Sequence, residues 1–186
     1  MPHVIEIAPT GRAKCRACER KIDKGELRFG ERLPNVFGEG EMTLWFHMRC
    51  AAYKRPEPFL EALHGIGETD GAPNAEIEDA PTLEAAAELG IAHRRVPRIN
   101  GADLAPTGRA RCRSCREPID KGTWRLVLVF FEEYRFQPSG FIHAACAREY
   151  FETTDLIERV RWFSPTLTAD ELDALRTALE AAPNGD

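Results

Sequence analysis

Cysteine and histidine residues recur along this chain at spacings that suit a bound zinc ion. A C-x2-C pair is followed, after 28 intervening residues, by an H-x2-C pair, and the same arrangement returns later with 27 intervening residues. Three thiolates and one imidazole close a tetrahedral structural zinc site with four protein ligands. The ligands predicted in this way form two sets: Cys15, Cys18, His47 and Cys50, and then Cys112, Cys115, His143 and Cys146.

The repeat extends well beyond the ligands. Residues 8–15 match residues 105–112 at an offset of 97, residues 22–25 return as 119–122, and Arg28 returns as Arg125. Such self-similarity indicates one supersecondary unit used twice. We therefore predict one Zn²⁺ per repeat, two in all, because a four-cysteine site shared between the C-x2-C pairs would leave both H-x2-C pairs without a metal.

The length and the cysteine count agree with two small metal-stabilised domains. We place them at residues 1–98 and 99–186, each small enough for a metal to contribute strongly to stability. All six cysteines fall in the two ligand sets. This favours metal over disulfides and a reducing compartment, although a redox-active C-x-x-C stays open as the alternative.

Sequence features also set an expectation for location. The chain has no apolar run of the roughly 20 residues that a membrane span needs, and its first residues lack the pattern of a secretory signal. We expect a cytoplasmic protein without membrane partners, which would be nucleoid-associated in a bacterium or nuclear in a eukaryote.

Charge is distributed unevenly along the chain. Residues 1–55 carry 11 Lys and Arg against 7 Asp and Glu, a net charge of +4, and residues 101–150 carry 8 against 6, a net of +2. The segments that follow them, 56–100 and 151–186, have net charges of −6 and −5. The predicted metal-binding halves are therefore basic, which the overall net charge of −5 conceals.

The first repeat is predicted to build a small sheet and a ligand-bearing helix. Alternating apolar positions indicate strands over 25–29 and 41–46, paired antiparallel, with a short edge strand over 3–8. A helix over 47–54 would donate the second ligand pair, and further helices are predicted over 57–66 and 81–90.

The second repeat follows the same plan after a predicted linker over 91–103. It has strands over 121–130 and 134–142, a ligand helix over 143–152 and a closing helix over 167–176. Thr168 and Glu171 fit a capping box. The predicted fold class is α+β: two small zinc-stabilised domains, each a short antiparallel β-sheet with a ligand-bearing helix and a C-terminal helix.

These motifs together resemble the zinc finger of poly(ADP-ribose) polymerases, which also occurs on a DNA ligase. The resemblance lies in Gly-Arg-Ala-x-Cys-x-x-Cys, the Ile-x-Lys-Gly-x-x-Arg segment, the long spacing and Trp-Phe-His-x-x-Cys. It implies recognition of strand breaks in double-stranded DNA, independent of sequence, with a repair protein as a further partner. The 186 residues leave no room for a transferase or ligase domain, so we expect binding without catalysis and no small-molecule substrate.

The resemblance also implies which residues contact DNA. Basic residues around the first cysteine pair and on the next strand hold phosphates, and apolar loop residues stack on the base pair that a break exposes. By position the phosphate contacts map to Arg12, Lys14, Arg16 and Arg28 in the first repeat and to Arg109, Arg111, Arg113 and Arg125 in the second. The stacking residues map to Val36 and Phe37 in the first loop and to Phe136 in the second, with Phe131 and Tyr134 as alternatives.

The two repeats are not equivalent in this reading. The second loop is one residue shorter and carries Glu132 and Glu133, which would repel phosphate, so we expect the first finger to be the stronger DNA binder. The arginines could instead brace nearby carboxylates. A zinc-organised protein–protein interaction adaptor is the alternative function, and an enzyme is disfavoured because a zinc with four protein ligands leaves no open position for water.

Overall fold

The computed structural model describes residues 2–35, 38–65, 77 and 79–181, and the chain divides into two compact units, Met1–Ala92 and His93–Asp186. Each unit contains a three-stranded antiparallel sheet with its strands in sequence order. Helices follow the sheet in each unit, as the predicted α+β class requires. Within the described part of the chain, no helix combines the length and the apolar character that a membrane crossing demands.

The first unit follows its predicted plan closely. Strands β1 (Val4–Ile7), β2 (Leu27–Pro34) and β3 (Glu41–His47) form its sheet, and helices α1 (Met48–Lys54), α2 (Pro56–His64) and α3 (Ala80–Ala92) follow. Pro56 at the start of α2 suits the first helical turn, where its missing N–H costs nothing. The edge strand, the antiparallel pair and the ligand helix are thereby confirmed.

The two faces of this sheet differ in polarity and in what they contact. Because neighbouring side chains on a strand alternate between faces, Phe29 and its cross-strand partner Phe46 enter the core and meet Phe59 of α2. All three rings are fully buried. The other face carries Arg28, paired across the strands with the zinc ligand His47. The sheet thus separates an apolar core from a polar face beside the metal site.

The second unit repeats the sheet and varies the helices. Its strands are β4 (Ile99–Leu104), β5 (Trp124–Glu132) and β6 (Arg135–His143), followed by a 3₁₀ turn (Ala144–Cys146) and helices α4 (Ala147–Phe151), α5 (Ile157–Phe163) and α6 (Ala169–Glu180). Helix α6 begins with the predicted capping box: Thr168 Oγ1 accepts from the Glu171 N–H at 3.3 Å, and the Glu171 carboxylate accepts from the Thr168 N–H at 2.8 Å.

Strand β4, helix α5 and a short 3₁₀ helix (Val96–Arg98) of the second unit were not predicted. The predicted linker contains β4, which pairs with β5 despite a weak local strand signal that includes Gly101 and Asp103. A bulge at Gly101, whose φ is +107°, is secured by Ser164 just after α5, where Oγ accepts from the Ala102 N–H at 2.9 Å. Tertiary contacts rather than local propensity form this strand. Helix α5 lacked a prediction because its seven residues are too few for a clear periodicity.

Candidate metal centres and the surface around them

A tight turn presents the C-x2-C pair of each unit. In the first unit the Cys15 N–H donates to the Arg20 carbonyl at 2.9 Å and the Glu19 N–H donates to the Cys15 carbonyl at 2.9 Å. Glu19 adopts the left-handed conformation with φ of 59°. The second unit reproduces this turn, with Arg116 in the equivalent position at φ of 68°. We call this turn the knuckle, residues 15–20 in the first unit and 112–117 in the second.

A single backbone hydrogen bond ties each knuckle to the strand that leads into the other ligand pair. The Arg16 N–H donates to the Trp45 carbonyl at 2.8 Å, and the Arg113 N–H donates to the Phe141 carbonyl at 2.8 Å. The strand ends at the ligand histidine, and the last cysteine follows on the next turn. The sheet therefore fixes both ligand pairs relative to each other.

The ligand atoms of each set form a cluster of zinc dimensions. All four lie within 4.8 Å of one another in both units. His47 Nδ1 lies 3.4 Å from Cys18 Sγ and 3.9 Å from Cys50 Sγ, and the matching distances from His143 Nδ1 are 3.4 and 3.8 Å. A tetrahedron with zinc–sulfur bonds of about 2.3 Å has edges of about 3.5–3.8 Å. The donor sets and their geometry fit one Zn²⁺ in each unit.

The histidines reach the cluster through Nδ1. The opposite nitrogen, Nε2, lies 3.1 Å from the Lys21 carbonyl in the first unit and 3.1 Å from the Pro118 carbonyl in the second. A carbonyl can only accept, so Nε2 carries the proton and Nδ1 has its lone pair free for the metal. This is the usual outer contact of a metal-bound histidine, and it answers a question the sequence could not address.

The thiolates change the protonation of the metal-free site. Hydrogen bonding to Cys15 and then to Cys18 raises the pKa of His47 to about 10. Since a metal ligand must be deprotonated, zinc and protons compete for this ring.

Arg28 and Arg125 lie in matching braces on the polar faces of the two sheets. Arg28 Nε donates to Glu6 at 3.1 Å, and its guanidinium carbon lies 3.5 Å from the centre of the Trp45 ring. Arg125 Nε donates to Asp103 at 2.7 Å, and its guanidinium carbon lies 3.6 Å from the centre of the Phe141 ring. The two arginines are only 6 and 7 % exposed. We call each arginine with its carboxylate and ring a brace.

The braces involve partners that sequence reasoning missed. Glu6 and Asp103 are separated by the same 97 residues as the rest of the repeat, so extending the alignment by two residues would have revealed them. Their cross-strand pairing with Arg28 and Arg125 follows from the register of β1 and β4. Each arginine keeps one nitrogen, Nη1, without a hydrogen bond within the described residues.

The remaining predicted phosphate contacts lie at the surface. Six basic side chains around the knuckles are exposed: Arg12, Lys14, Arg16, Arg109, Arg111 and Arg113. Arg111 Nη1 donates to the Arg116 carbonyl at 3.2 Å, so part of its hydrogen-bonding capacity is used within the knuckle. Val36 and Phe37 lie outside the described residues.

The second loop is a tight hairpin. Glu133 and Tyr134, at its tip, both have positive φ, 47° and 64°, which is the signature of a two-residue type I′ turn. Phe136 packs against Phe131 with ring centres 5.0 Å apart. Phe136, predicted as a stacking residue, thus already has an aromatic neighbour across the hairpin.

Two cations at the end of the first knuckle have no counterpart at the same positions of the second unit. Arg20 Nε donates to Cys18 Sγ at 3.4 Å, and Lys21 forms an ion pair with Asp23 at 3.3 Å. Hydrogen bonding to the Cys18 thiolate raises the pKa of Arg20. At the offset of 97 the second unit has Glu117 and Pro118 in place of these two cations. The aligned repeats show that Arg116 in turn replaces Glu19, so a cation and an anion have exchanged places at the end of the knuckle.

Comparison with known proteins agrees with this geometry. Residues 6–86 match the family model described as the poly(ADP-ribose) polymerase and DNA-ligase zinc-finger region. The chain is 26% identical over 133 residues to a poly(ADP-ribose) polymerase of Drosophila melanogaster, covering 68% of this chain and 13% of the relative. It is 25% identical over 199 residues to poly(ADP-ribose) polymerase 1 of Arabidopsis thaliana, and the match covers 97% of this chain and 19% of the relative.

A third relative is a different kind of enzyme. The chain is 24% identical over 197 residues to a polynucleotide 3′-phosphatase of Arabidopsis thaliana, which covers 93% of this chain and 28% of the relative. The chain thus spans less than a third of the length of each of these three proteins. The long matches run across both units, and both units carry the ligand set.

Proposed function

We propose that this chain, which is a tandem zinc-finger protein of the poly(ADP-ribose) polymerase and DNA-ligase type, binds double-stranded DNA at strand breaks without reading base sequence. The family description includes DNA ligases, and one relative is a polynucleotide 3′-phosphatase, so nucleic-acid strands are what these names have in common. The proposal concerns binding only, and it includes a location with access to DNA and a repair protein as a later partner.

One observation carries the proposal: exposed cations in and just before the first knuckle form no ion pair with any residue that the structure describes. Arg12, Lys14 and Arg16 have exposed side chains, and none of them forms an ion pair within the described part of the chain. The knuckle is rigid because its backbone is hydrogen-bonded and its cysteines bind zinc. Because the backbone that carries these cations is already ordered, phosphate binding has to order only their side chains.

Stacking on exposed bases would supply the preference for breaks. A continuous duplex hides the faces of its base pairs, whereas a nick or an end exposes one. In our proposal Val36 and Phe37, between β2 and β3, stack on that exposed face. Such stacking is worth about 1–3 kcal/mol per base and tolerates every base, because each base has a π-face.

Arg28 and Arg125 enter the proposal with a defined geometry. Two nitrogens of each guanidinium are engaged with the brace carboxylate, so Nη1 is the nitrogen that a phosphate would use. The brace would then hold the guanidinium in place before DNA arrives. Because both arginines are almost fully buried, we propose that they contribute less to affinity than the exposed Arg12, Lys14 and Arg16.

The second unit is proposed as the weaker DNA contact. Arg109, Arg111 and Arg113 are exposed, but Glu117, Glu132 and Glu133 are exposed as well. Each of these carboxylates would repel a phosphate. Phe136 is part of the hairpin described above and would have to leave Phe131 to stack on a base.

The test compares three DNA molecules of equal base-pair content at fixed salt. These are a closed dumbbell without ends, the same dumbbell with one nick, and a blunt-ended duplex, each titrated with zinc-loaded protein by fluorescence anisotropy. We expect the nicked dumbbell and the blunt duplex to bind at least tenfold more tightly than the closed dumbbell. Equal affinity for all three, or no binding, would overturn the proposal.

Matched variants assign the contacts. Arg12→Ala is expected to weaken binding to the nicked DNA and to reduce the salt slope by about one, the amount for one lost phosphate contact. Arg109→Ala, the equivalent change in the second unit, should have the smaller effect. Zinc content must stay at two equivalents in both variants, since neither arginine is a ligand. A larger loss with Arg109→Ala would reverse the assignment of the units.

A further inference from the structure

Two lysines of the first unit lie directly opposite each other, just outside the two ends of the knuckle. Lys14 and Lys21 are antiparallel bridge partners, and both are exposed. The two flanking hydrogen bonds, each of 2.9 Å, join the residues before and after them rather than the lysines themselves. In such a pair the two side chains lie closest, and like charges placed directly opposite each other are destabilising. The fold therefore holds two positive charges together at its surface.

The ammonium group of Lys21 lies against the turn that leads to Arg12. A Cβ atom added at Gly11 would lie 3.1 Å from Lys21 Cε and 3.2 Å from Lys21 Nζ, so the glycine leaves the space that the lysine occupies. Arg12 follows Gly11 directly and is exposed. Three cations thus lie around one short turn, and we call Arg12, Lys14 and Lys21 the cation triad.

The cation triad is only partly neutralised by the protein. Lys21 Nζ lies 3.3 Å from Asp23 Oδ1, but the side chains of this pair are 63 and 76 % exposed, so water and salt screen their attraction. Neither Arg12 nor Lys14 forms an ion pair with a residue that the structure describes. Three cations against one carboxylate leave a net charge of +2 at this place.

The second unit repeats the turn but not the triad. Pro118 takes the place of Lys21 and lies opposite Arg111. A Cβ atom added at Gly108 would meet no other atom within 4 Å in the described part of the chain. Arg111 donates instead to the Arg116 carbonyl at 3.2 Å. Duplication has therefore preserved the turn and its arginine, whereas the second cation of the bridge is found in the first unit and not at the same place in the second.

We propose that Lys21 is a further DNA contact of the first unit and that the cation triad binds one phosphate of the duplex backbone. This role presupposes the proposed function, because Lys21 belongs to the same binding surface. A phosphate between the two lysines brings a negative charge to a pair that repels in the free protein. Lysine suits the task, since its three N–H donors at the end of a flexible stem need no fixed geometry. The first unit thereby gains an advantage that the repeated Arg12 and Arg109 do not supply.

The experiment titrates the nicked dumbbell with the zinc-loaded full chain at several salt concentrations. Lys21→Gln removes the charge and leaves in place the backbone carbonyl that contacts His47. We expect the affinity at low salt to fall about fivefold and the salt slope to fall by about 0.9, the amount for one phosphate contact. Lys121→Gln removes the same charge from an exposed position of the second unit and should change the affinity less than about twofold. Equal losses in the two variants, or an unchanged salt slope in Lys21→Gln, would overturn the proposal.

Stability without DNA separates binding from a structural role. Because Lys21 faces Lys14, removing its charge removes a repulsion, whereas the exposed pair with Asp23 contributes little. The urea midpoint of the metal-loaded first unit should therefore stay the same or rise in Lys21→Gln, with both zinc ions retained. A weaker affinity that comes with a lower midpoint would assign Lys21 a structural role and would overturn the proposal.

A matched pair of glycine variants tests the position of the ammonium group. Gly11→Val places a side chain where Lys21 Cε and Nζ lie, whereas Gly108→Val meets open space at the equivalent turn. We expect Gly11→Val to weaken binding to nicked DNA about threefold and Gly108→Val to have the smaller effect. In the Lys21→Gln background the effect of Gly11→Val should disappear, because the group that it displaces is gone. An effect that persists there, or equal effects of the two glycine variants, would contradict the position of Lys21.

The wild-type chain keeps the two proposals separate. Its titration against the closed and the nicked dumbbell decides whether the protein binds breaks, and the ratio of each variant to wild type decides the role of Lys21. Break-specific binding that is equally tight in wild type and in Lys21→Gln would leave the proposed function intact and would remove Lys21 from the binding surface.

Discussion

The two units share their internal framework and differ in what they present to the solvent. The knuckle, the histidine contact and the brace recur in both units with nearly the same distances. The hydrogen bond from the Arg16 N–H to the Trp45 carbonyl, for example, matches the one from the Arg113 N–H to the Phe141 carbonyl. Beside the knuckles, Glu19 and Arg20 of the first unit are replaced by Arg116 and Glu117. The duplicated residues that stayed include the metal ligands and the brace arginines, and also the exposed Arg12 and Arg16, which return as Arg109 and Arg113.

The brace also differs in its aromatic member. Trp45 lies across the strand from Gly30, and a Cβ atom at Gly30 would lie 2.7 Å from Trp45 Cζ3 and 2.8 Å from Val4 Cγ1. The second unit has Val127 opposite the smaller Phe141. The pair of residues has therefore changed together, with a large ring over glycine in one unit and a smaller ring beside valine in the other.

Removing a zinc ligand tests the independence of the units and should have the largest effect. Cys15→Ser should release one zinc and unfold the first unit, and Cys112→Ser should do so for the second, because structural zinc contributes about 10–16 kcal/mol to folding of small domains. Metal analysis and NMR spectra will report one remaining zinc and one remaining set of dispersed amide signals. Loss of both zinc ions from either variant would contradict two self-contained units.

The glycine under Trp45 offers a sharper test of how the units diverged. Gly30→Val should destabilise the first unit by about 1–3 kcal/mol, because the added side chain meets Trp45, Val4 and Thr43 at less than 3.0 Å. Adding Trp45→Phe, which reproduces the pair found in the second unit, should recover part of that loss. Urea unfolding of the single and double variants gives the coupling energy, and additive effects would refute the explanation.

Zinc should leave the second unit first. Cys115 is exposed, whereas Cys18 is partly buried and accepts a hydrogen bond from Arg20. With a chromogenic chelator in excess, we expect release from the second site to be about tenfold faster, which corresponds to about 1.4 kcal/mol in activation free energy. The Cys15→Ser and Cys112→Ser variants, each with one zinc ion, show which site gives the fast phase of zinc release and which gives the slow phase. Arg20→Glu should accelerate release from the first site, and an unchanged rate would remove Arg20 from the explanation.

The smallest effect concerns the closing helix of the second unit. Thr168→Ala removes the N-cap of α6 and should cost about 1 kcal/mol of unfolding free energy. Hydrogen bonds from the Thr168 backbone and hydroxyl hold the pKa of Glu171 below its ordinary value. A carboxylate whose pKa is lowered on folding stabilises the fold at any pH above its ordinary pKa. This stabilisation disappears as the pH falls through the lowered pKa.

The difference between wild type and Glu171→Gln in thermal melts should therefore shrink as the pH is lowered below about 4. A difference that stays constant down to about pH 2 would exclude the capping carboxylate as its source. The first unit provides the comparison, since its closing helix α3 is not involved in this capping box and its melting should not respond to either substitution.

Local patterns predicted much of this molecule. Ligand spacing, alternation in β2 and β3, and the Thr168–Glu171 box are encoded within a few residues, and the structure contains all of them. The sequence did not predict β4, whose pairing depends on β5 and on Ser164, which lies about 60 residues away in the chain. Contacts between distant segments have no local signature.

The surface was predicted less completely for a related reason. The arginines predicted to contact DNA around the knuckles are exposed, whereas Arg28 and Arg125 lie in buried braces with Glu6 and Asp103. A basic residue in a pattern does not reveal whether its charge is already neutralised, because that depends on cross-strand register. Their roles in DNA binding, with those of Val36, Phe37 and Phe136, remain predictions.

The hydrogen bond from each ligand histidine to a backbone carbonyl limits how these metal sites can evolve. A cysteine in place of His47 could still bind the ion, but it has no second nitrogen to hold the Lys21 carbonyl. The segment after the knuckle would then lose this hydrogen bond to the ligand-bearing strand. A site with four cysteine ligands would therefore still bind zinc, but the backbone around it would be held by one hydrogen bond fewer.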